Sequence, residues 1–382
     1  MHISTRLILG GSQENTILSC EGQADAGHDV SLVYGPIYGP EGSLRDRAAA
    51  HGGIELIESP NLVRNLAPIR DFKCYQDLKE CIRTWKPDVV HTHSSKAGIL
   101  GRGAAWNCAV PCVVHTIHGL PFHPYESGWR NTLYIASERW AAKRCHAIAC
   151  VADAMRDQAL AKGIGTKKQY KTIYSGMEVE AYLNPPRSSE RMRKELGLDP
   201  EDFVIGTVSR LAKHKGHDDI LEALEPVLLE NPTVKLLWVG DGWWKERLEK
   251  RIERMGLANQ ILLTGLVEPD EVANYISATD VLLHASYREG LPRTVVQAML
   301  VGKPVIANDV DGTREVCISG KTGFLLDVGD CIGMRNAVTQ LQDNIELRKR
   351  FGNAGRELCR EQFSAGKMVK HLDRLYRFIL EP

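Results

Sequence analysis

The chain has 382 residues, 48 basic and 48 acidic side chains, and no net formal charge. Its 43% apolar and 25% charged residues exclude a disordered chain and leave room for two or three domains at roughly 150 residues each. The zero charge balance excludes a general nucleic-acid binder, which needs a basic footprint, and no apolar run of about 18 residues is present to span a membrane. The apolar stretch after Arg6 does not read as a secretory signal, because Gly10, Gly11 and polar residues break it. The ten cysteines form no CxxC pair, and they read as buried, reduced thiols of a cytoplasmic protein.

In chain order, short apolar runs alternate with amphipathic stretches. Strands are predicted at Met1–Thr5, Val30–Tyr34, Gly53–Ile57, Val89–Thr92, Cys112–His115, Ala147–Val151 and Tyr170–Ile173. Helices are predicted between them at Asn15–Ala26, Cys74–Thr84, Gly98–Asn107, Trp129–Lys143 and Ala154–Ala161. The stretch Ser175–Pro200 has no strand-like run and contains Asn184-Pro185-Pro186, so it reads as an extended connector between domains. The pattern then repeats. Strands are predicted at Val204–Val208, Lys235–Val239, Ile261–Leu263, Val281–Leu283, Pro304–Ala307 and Gly323–Leu326, and helices at His217–Leu229, Trp244–Met255, Pro269–Ile276 and Thr294–Val301. A last helix over Ala365–Leu380 carries apolar residues at helical spacing. Strand–helix alternation of this kind predicts an α/β chain with two Rossmann-like, doubly wound parallel sheets.

Three segments carry chemistry. Gly10-Gly11 falls between the first strand and the first helix; either it brings backbone N–H groups and a helix N-terminus to an anion, or it is an ordinary turn. Ser209–Gly216 follows a strand and holds Arg210, Lys213 and Lys215. At the carboxyl end of a parallel strand such cations suit a diphosphate, although a solvated basic turn has the same composition. Glu289 follows the Val281–Leu283 strand and precedes Gly290-Leu291-Pro292. Its carboxylate suits sugar hydroxyls or, alternatively, a helix cap.

Together with His115-Thr116-Ile117-His118-Gly119, His91-Thr92-His93-Ser94 and Val239-Gly240-Asp241-Gly242, in this order and spacing, these segments resemble the retaining glycosyltransferases of family four along nearly the whole chain. The resemblance implies GT-B architecture: an acceptor-side Rossmann-like domain over 1–175, with helix 365–382 packing back on it, and a donor-nucleotide domain over 176–364, the two facing a cleft. It assigns Arg210, Lys215, Gly10, Gly11, Gly290 and Leu291 to the donor diphosphate. His118 and Glu289 become the catalytic contacts to the donor sugar. Gln297, eight positions after Glu289, stands where the family has a ribose-binding glutamate. Its neutral amide still accepts a hydroxyl, with nucleotide binding weaker by about 1 kcal/mol.

The same resemblance implies no catalytic metal and no tightly bound cofactor, a nucleoside diphosphate sugar (UDP before GDP) as co-substrate, and a lipid-linked or polysaccharide acceptor. It places the protein in the cytoplasm at the inner face of a membrane. His91 and His93 point the same way along a strand, but no third ligand for a metal is evident in the sequence. Trp243-Trp244 reads as packing rather than as an acceptor platform. The helix with Trp129, Tyr134, Trp140, Lys143 and Arg144 is either a lipid-headgroup contact or an ordinary amphipathic helix. A UDP-sugar epimerase and a nucleotide-sugar-binding protein without turnover are the alternative functions.

Overall fold

The computed structural model describes residues 1–37 and 42–381. The chain divides into two compact units: Met1–Met177 with Ser364–Pro382, and Glu178–Phe363.

The first unit holds a seven-stranded parallel sheet. Its strands are β1 (His2–Ser4), β2 (Val30–Tyr34), β3 (Ile54–Glu58), β4 (Val89–His93), β5 (Cys112–Ile117), β6 (Ala147–Cys150) and β7 (Tyr170–Thr172), in the order β3-β2-β1-β4-β5-β6-β7. The central strands are buried on both faces, as their unbroken apolar runs require. The second unit holds a six-stranded parallel sheet: β8 (Phe203–Val208), β9 (Val234–Val239), β10 (Ile261–Leu263), β11 (Val281–His284), β12 (Val305–Asn308) and β13 (Gly323–Leu326), in the order β10-β9-β8-β11-β12-β13. Both orders reverse direction next to the unit's first strand, between β1 and β4 and between β8 and β11. Open α/β sheets bind ligands outside the carboxyl ends of the strands at such points.

Each predicted strand is present, with ends shifted by no more than a few residues. The connector expected to be extended is instead folded into two short helices, Val179–Leu183 and Ser189–Glu195. Pro185-Pro186 separates them, because a residue before proline is pushed out of the helical region. The Ser188 hydroxyl then caps the second helix, accepting from the Arg191 amide at 3.3 Å.

The helix Ala365–Leu380 belongs to the first unit. It buries Met368, Val369, Leu372, Leu375 and Tyr376, and packs along the helix Gly11–Asp25. A side chain at Gly22 would meet Val369 at 2.6 Å, so the glycine sets the closeness of that crossing. In the second unit, helices His217–Glu230 and Cys331–Asp343 cover one face around the fully buried Trp238. All ten cysteines are free thiols, seven of them wholly or nearly excluded from solvent.

Candidate functional site

The expected site residues fall into two groups, one in each unit, each at the carboxyl ends of strands flanking the point of reversal.

In the second unit, β8 and β11 lie side by side, so the loops leaving them meet. Gly216 allows this: at φ 71° it lies in the left-handed region, and a Cβ there would sit 2.1 Å from the Ala285 carbonyl oxygen. The loop is pinned to β11 as the Tyr287 amide donates to the His214 carbonyl at 2.9 Å. On the other side, the Leu211 amide donates to the Asp241 carbonyl at 3.0 Å. Gly240, at φ 136°, passes the Ser209 carbonyl where a Cβ would be 2.2 Å away.

This packing brings Lys215 and Glu289 together. The Lys215 ammonium donates to Glu289 Oε1 at 2.5 Å, and the two side chains are only 16% and 14% exposed. His284, at the end of β11, donates from Nε2 to the same oxygen at 3.0 Å, and Thr294 Oγ1 lies 3.3 Å from its Nδ1. The Glu289 amide donates to Asp311 Oδ2 at 2.6 Å, which fixes the backbone carrying the carboxylate. Burial would raise the Glu289 carboxyl, but Lys215 and the His284 hydrogen bond outweigh it and hold it well below the usual carboxylate range. Burial and neighbouring Lys215 push His214 down to about 4. The group therefore keeps the Glu289 carboxylate ionised beside Lys215, and exposed Arg210 lies on the same loop as Lys215.

Gly290 accepts from the Gly312 amide at 3.1 Å through its carbonyl, and Leu291 is buried. Gln297 lies on the helix Arg293–Val301, 6% exposed, and its amide nitrogen donates to the Tyr182 hydroxyl at 2.7 Å. Trp244 packs against the core with Arg247 over its ring at 4.3 Å, whereas Trp243 is 67% exposed.

In the first unit, Gly10 is the N-cap of the helix Gly11–Asp25, with no side-chain cap on the helix N-terminus. The glycine pair thus sits past the end of β1, His93 and Ser94 at the end of β4, and His118 just past the end of β5, three neighbouring strands. Ser94 has φ 62° and ψ 159°, a conformation close to glycine-only, which costs about 1–3 kcal/mol. Its hydroxyl is paired to Thr5 Oγ1 at 2.7 Å and accepts from the Thr5 amide at 3.3 Å, and Thr5 Oγ1 in turn accepts from the Ala97 amide at 3.2 Å. Thr5 thus caps the helix Ser95–Asn107 from a different strand.

The histidine pair has a third neighbour that the sequence did not disclose. β1 runs beside β4 with His2 opposite His91, so nitrogens of His2, His91 and His93 lie within 4.8 Å of one another. Hydrogen bonds occupy them: His2 Nδ1 with His93 Nε2 at 2.9 Å, His91 Nε2 with Thr116 Oγ1 at 2.7 Å, and His91 Nδ1 with the Tyr376 hydroxyl at 2.5 Å. His115 is bonded within the sheet, its Nδ1 2.9 Å from Thr92 Oγ1.

Sequence reasoning named Arg210, Lys215, Glu289, His118 and the glycines, quoted Ser94 only as part of a longer stretch, and missed His284, Asp311, Thr5 and His2. His284 stands one residue past a predicted strand and five before Glu289, which was the available signal.

Comparison with known proteins follows the same division. The family model for glycosyl transferases group 1 matches residues 188–358, and that for a glycosyl transferase 4-like domain matches residues 10–173. The chain is 28% identical to the UDP-Gal:alpha-D-GlcNAc-diphosphoundecaprenol alpha-1,3-galactosyltransferase of Escherichia coli, over 98% of this chain and 94% of that one. It is 23% identical to the capsular polysaccharide biosynthesis glycosyltransferase CapM of Staphylococcus aureus, over 86% and 88% of the two chains. Among solved structures, Anabaena HepE in complex with UDP and glucose superposes with a TM-score of 0.83 at 20% identity over 98% of both chains. WaaG, a glycosyltransferase involved in lipopolysaccharide biosynthesis, does so with a TM-score of 0.76 at 17% identity over 100% of both. Two parallel α/β sheets of the GT-B fold class, with one glycosyl transferase family model matching within each unit, identify the chain as a member of the family-four-type glycosyltransferases.

Proposed function

We propose that the protein is a retaining glycosyltransferase that moves a hexose or N-acetylhexosamine from a UDP-sugar to a hydroxyl of a lipid-linked or polysaccharide acceptor. The observation that carries the reading is the Lys215–Glu289–His284 group at the strand reversal of the second unit. A carboxylate kept ionised and largely dry accepts strongly from sugar hydroxyls, at about 1.5–3 kcal/mol per charge-assisted bond. Arg210 and Lys215 are the cations for the diphosphate, which gains charge as the glycosidic bond breaks, and preorganised charge lowers that barrier. The backbone at Gly290 and Leu291 completes the diphosphate loop. Gln297 takes the ribose: with its nitrogen donating to Tyr182, the amide oxygen is the end that accepts a ribose hydroxyl.

The second unit is thus the donor-nucleotide domain and the first the acceptor-side domain. There the helix N-terminus at Gly10-Gly11 stabilises negative charge, and His118 holds a hydroxyl of the donor sugar as it becomes cationic. The acceptor attacks on the face the diphosphate leaves, and a diphosphate oxygen takes its proton. No resident metal has a role in these steps.

The named donor and lipid carrier of the Escherichia coli relative support UDP and a lipid-linked acceptor. Among the described residues no helix is long and apolar enough to cross a membrane; contact with a lipid-linked substrate is proposed as peripheral. The helix Gly128–Ala142 suits that contact, exposing Trp129, Leu133 and Trp140 with Arg130 and Arg144 over the indoles.

The test is turnover of a panel of α-linked UDP-sugars with a short lipid-diphosphate-linked sugar acceptor, following UDP release and the anomeric signals of the product. One UDP-sugar giving an acceptor-dependent α-linked product is expected. A β-linked product, or donor conversion that ignores the acceptor, would overturn the reading.

A further inference from the structure

A continuous row of hydrogen-bonded side chains crosses the sheet of the first unit and ends on His118. Gln23 Oε1 lies 2.7 Å from His2 Nε2, His2 Nδ1 lies 2.9 Å from His93 Nε2, and His93 Nδ1 lies 3.0 Å from His118 Nε2. The rings of His2 and His93 are stacked at 5.2 Å, as are those of His93 and His118 at 5.3 Å. Gln23, His2 and His93 are buried. Four elements contribute: the helix Gly11–Asp25, β1, β4 and the loop after β5.

A neutral imidazole has one donor and one acceptor nitrogen, so fixing one member fixes the next. The amide oxygen of Gln23 only accepts, and its nitrogen is turned to the Tyr376 hydroxyl at 3.2 Å. His2 must therefore donate from Nε2 and accept at Nδ1. His93 then donates from Nε2 and accepts at Nδ1. His118, in its neutral form, carries its proton on Nε2 and its lone pair on Nδ1. The Tyr376 branch agrees: the hydroxyl receives from Gln23 and gives to His91 Nδ1, and His91 gives from Nε2 to Thr116. The row stays neutral, since burial pushes His2 down to about 3 and His93 well below its ordinary value.

We propose that Gln23, through His2 and His93, sets the tautomer of His118, holding its proton on Nε2 and so fixing the form in which His118 meets the donor sugar. Gln23, His2 and His93 are positioning residues, and the orientation of one buried amide sets the polarity of the whole row. A reversed amide would reverse every bond and place the proton of His118 on Nδ1. The inference rests on His118 contacting the donor, but its first readout does not require turnover.

The experiment is nitrogen NMR of the full chain with labelled histidine, with UDP bound, reading the His118 tautomer in the wild type, H93Q, H93L and Q23L. Glutamine at position 93 can donate to His2 and accept from His118, whereas leucine can do neither. The wild type and H93Q are expected to show His118 protonated on Nε2 alone, and H93L and Q23L to show both tautomers. Turnover of the donor should fall roughly tenfold or more in H93L, with UDP affinity and unfolding midpoint as controls, and return largely in H93Q.

Protonation of wild-type His118 on Nδ1, or an unchanged tautomer in H93L, would overturn the proposal. So would one equivalent of zinc held by His2, His91 and His93 in the purified protein. Full turnover in H118A would instead remove the catalytic reading of His118 while leaving the tautomer result standing.

Discussion

Among single residues, charges held close together carry the proposed chemistry. Glu289 accepts from both Lys215 and His284 through one oxygen, so E289Q keeps the shape but gives up the charge proposed to bind sugar hydroxyls. Its kcat/KM is expected to fall by roughly 10- to 150-fold, the equivalent of one charge-assisted bond, with UDP affinity changed far less. A kcat/KM equal to that of the wild type would remove the sugar contact. Q297E restores the family's charge at the proposed ribose position while the Tyr182 hydroxyl can turn to donate, so isothermal titration should find UDP binding held or tightened by about 1 kcal/mol. A large loss would place the ribose elsewhere.

What was legible at this scale was residue type next to a strand end: Arg210, Lys215 and Glu289 each follow an apolar run. What was not legible was pairing across the fold. His2 and His93 are 91 residues apart and meet only because β1 inserts beside β4. Asp311 reaches the Glu289 amide from the loop after β12.

Elements were easiest to read where burial is complete. Strands buried on both faces appear as unbroken apolar runs, and each was found. Two long helices, Cys331–Asp343 and Ile345–Gln362, were not. The second is dense in charge, and two of its buried positions are Gly352 and Gly355, which weaken a helical pattern by about 1 kcal/mol each. Their reason is tertiary: a Cβ at Gly352 would lie 2.0 Å from the Gly302 carbonyl, so the glycine lets this helix close onto the end of Arg293–Val301.

Polar packing between helices was equally hidden. Arg102, wholly buried on the helix Ser95–Asn107, donates to Glu138 at 2.6 Å and to the Gly98 carbonyl at 2.7 Å. E138L would strand a buried guanidinium, and urea unfolding of the full chain should lose about 3–5 kcal/mol. A loss under about 1 kcal/mol would mean that water reaches the site, as at an exposed pair.

At the scale of the whole molecule, two parallel sheets with the same strand order carry different chemistry at equivalent places: glycines, Ser94 and a histidine row in one unit, an ion-paired cluster in the other. The histidine row also makes a prediction for stability. His2 is held at about 3, and His91, His93 and His115 well below their ordinary value, by burial first and by neighbouring positive charge second. Below about pH 6.5 the unfolded chain binds protons that the folded chain refuses, so stability is full above that pH and falls as the pH drops toward the folded values. Each such histidine removes up to roughly 1.4 kcal/mol per pH unit, so calorimetry should find the melting temperature several degrees lower at pH 5 than at pH 7.5. An unchanged midpoint would mean that the row is hydrated and titrates normally.

This glycosyltransferase is proposed to take its donor as a uridine diphosphate sugar on the Arg210–Lys215–Glu289 loops. Thermal unfolding of the wild type and R210A against UDP, GDP and ADP tests that placement. A ligand at 100 times its dissociation constant adds about 2.7 kcal/mol of stability. A clear upward shift of the wild type with UDP above the other two, largely lost in R210A, is expected. No response to UDP, or an equal response in R210A, would contradict it.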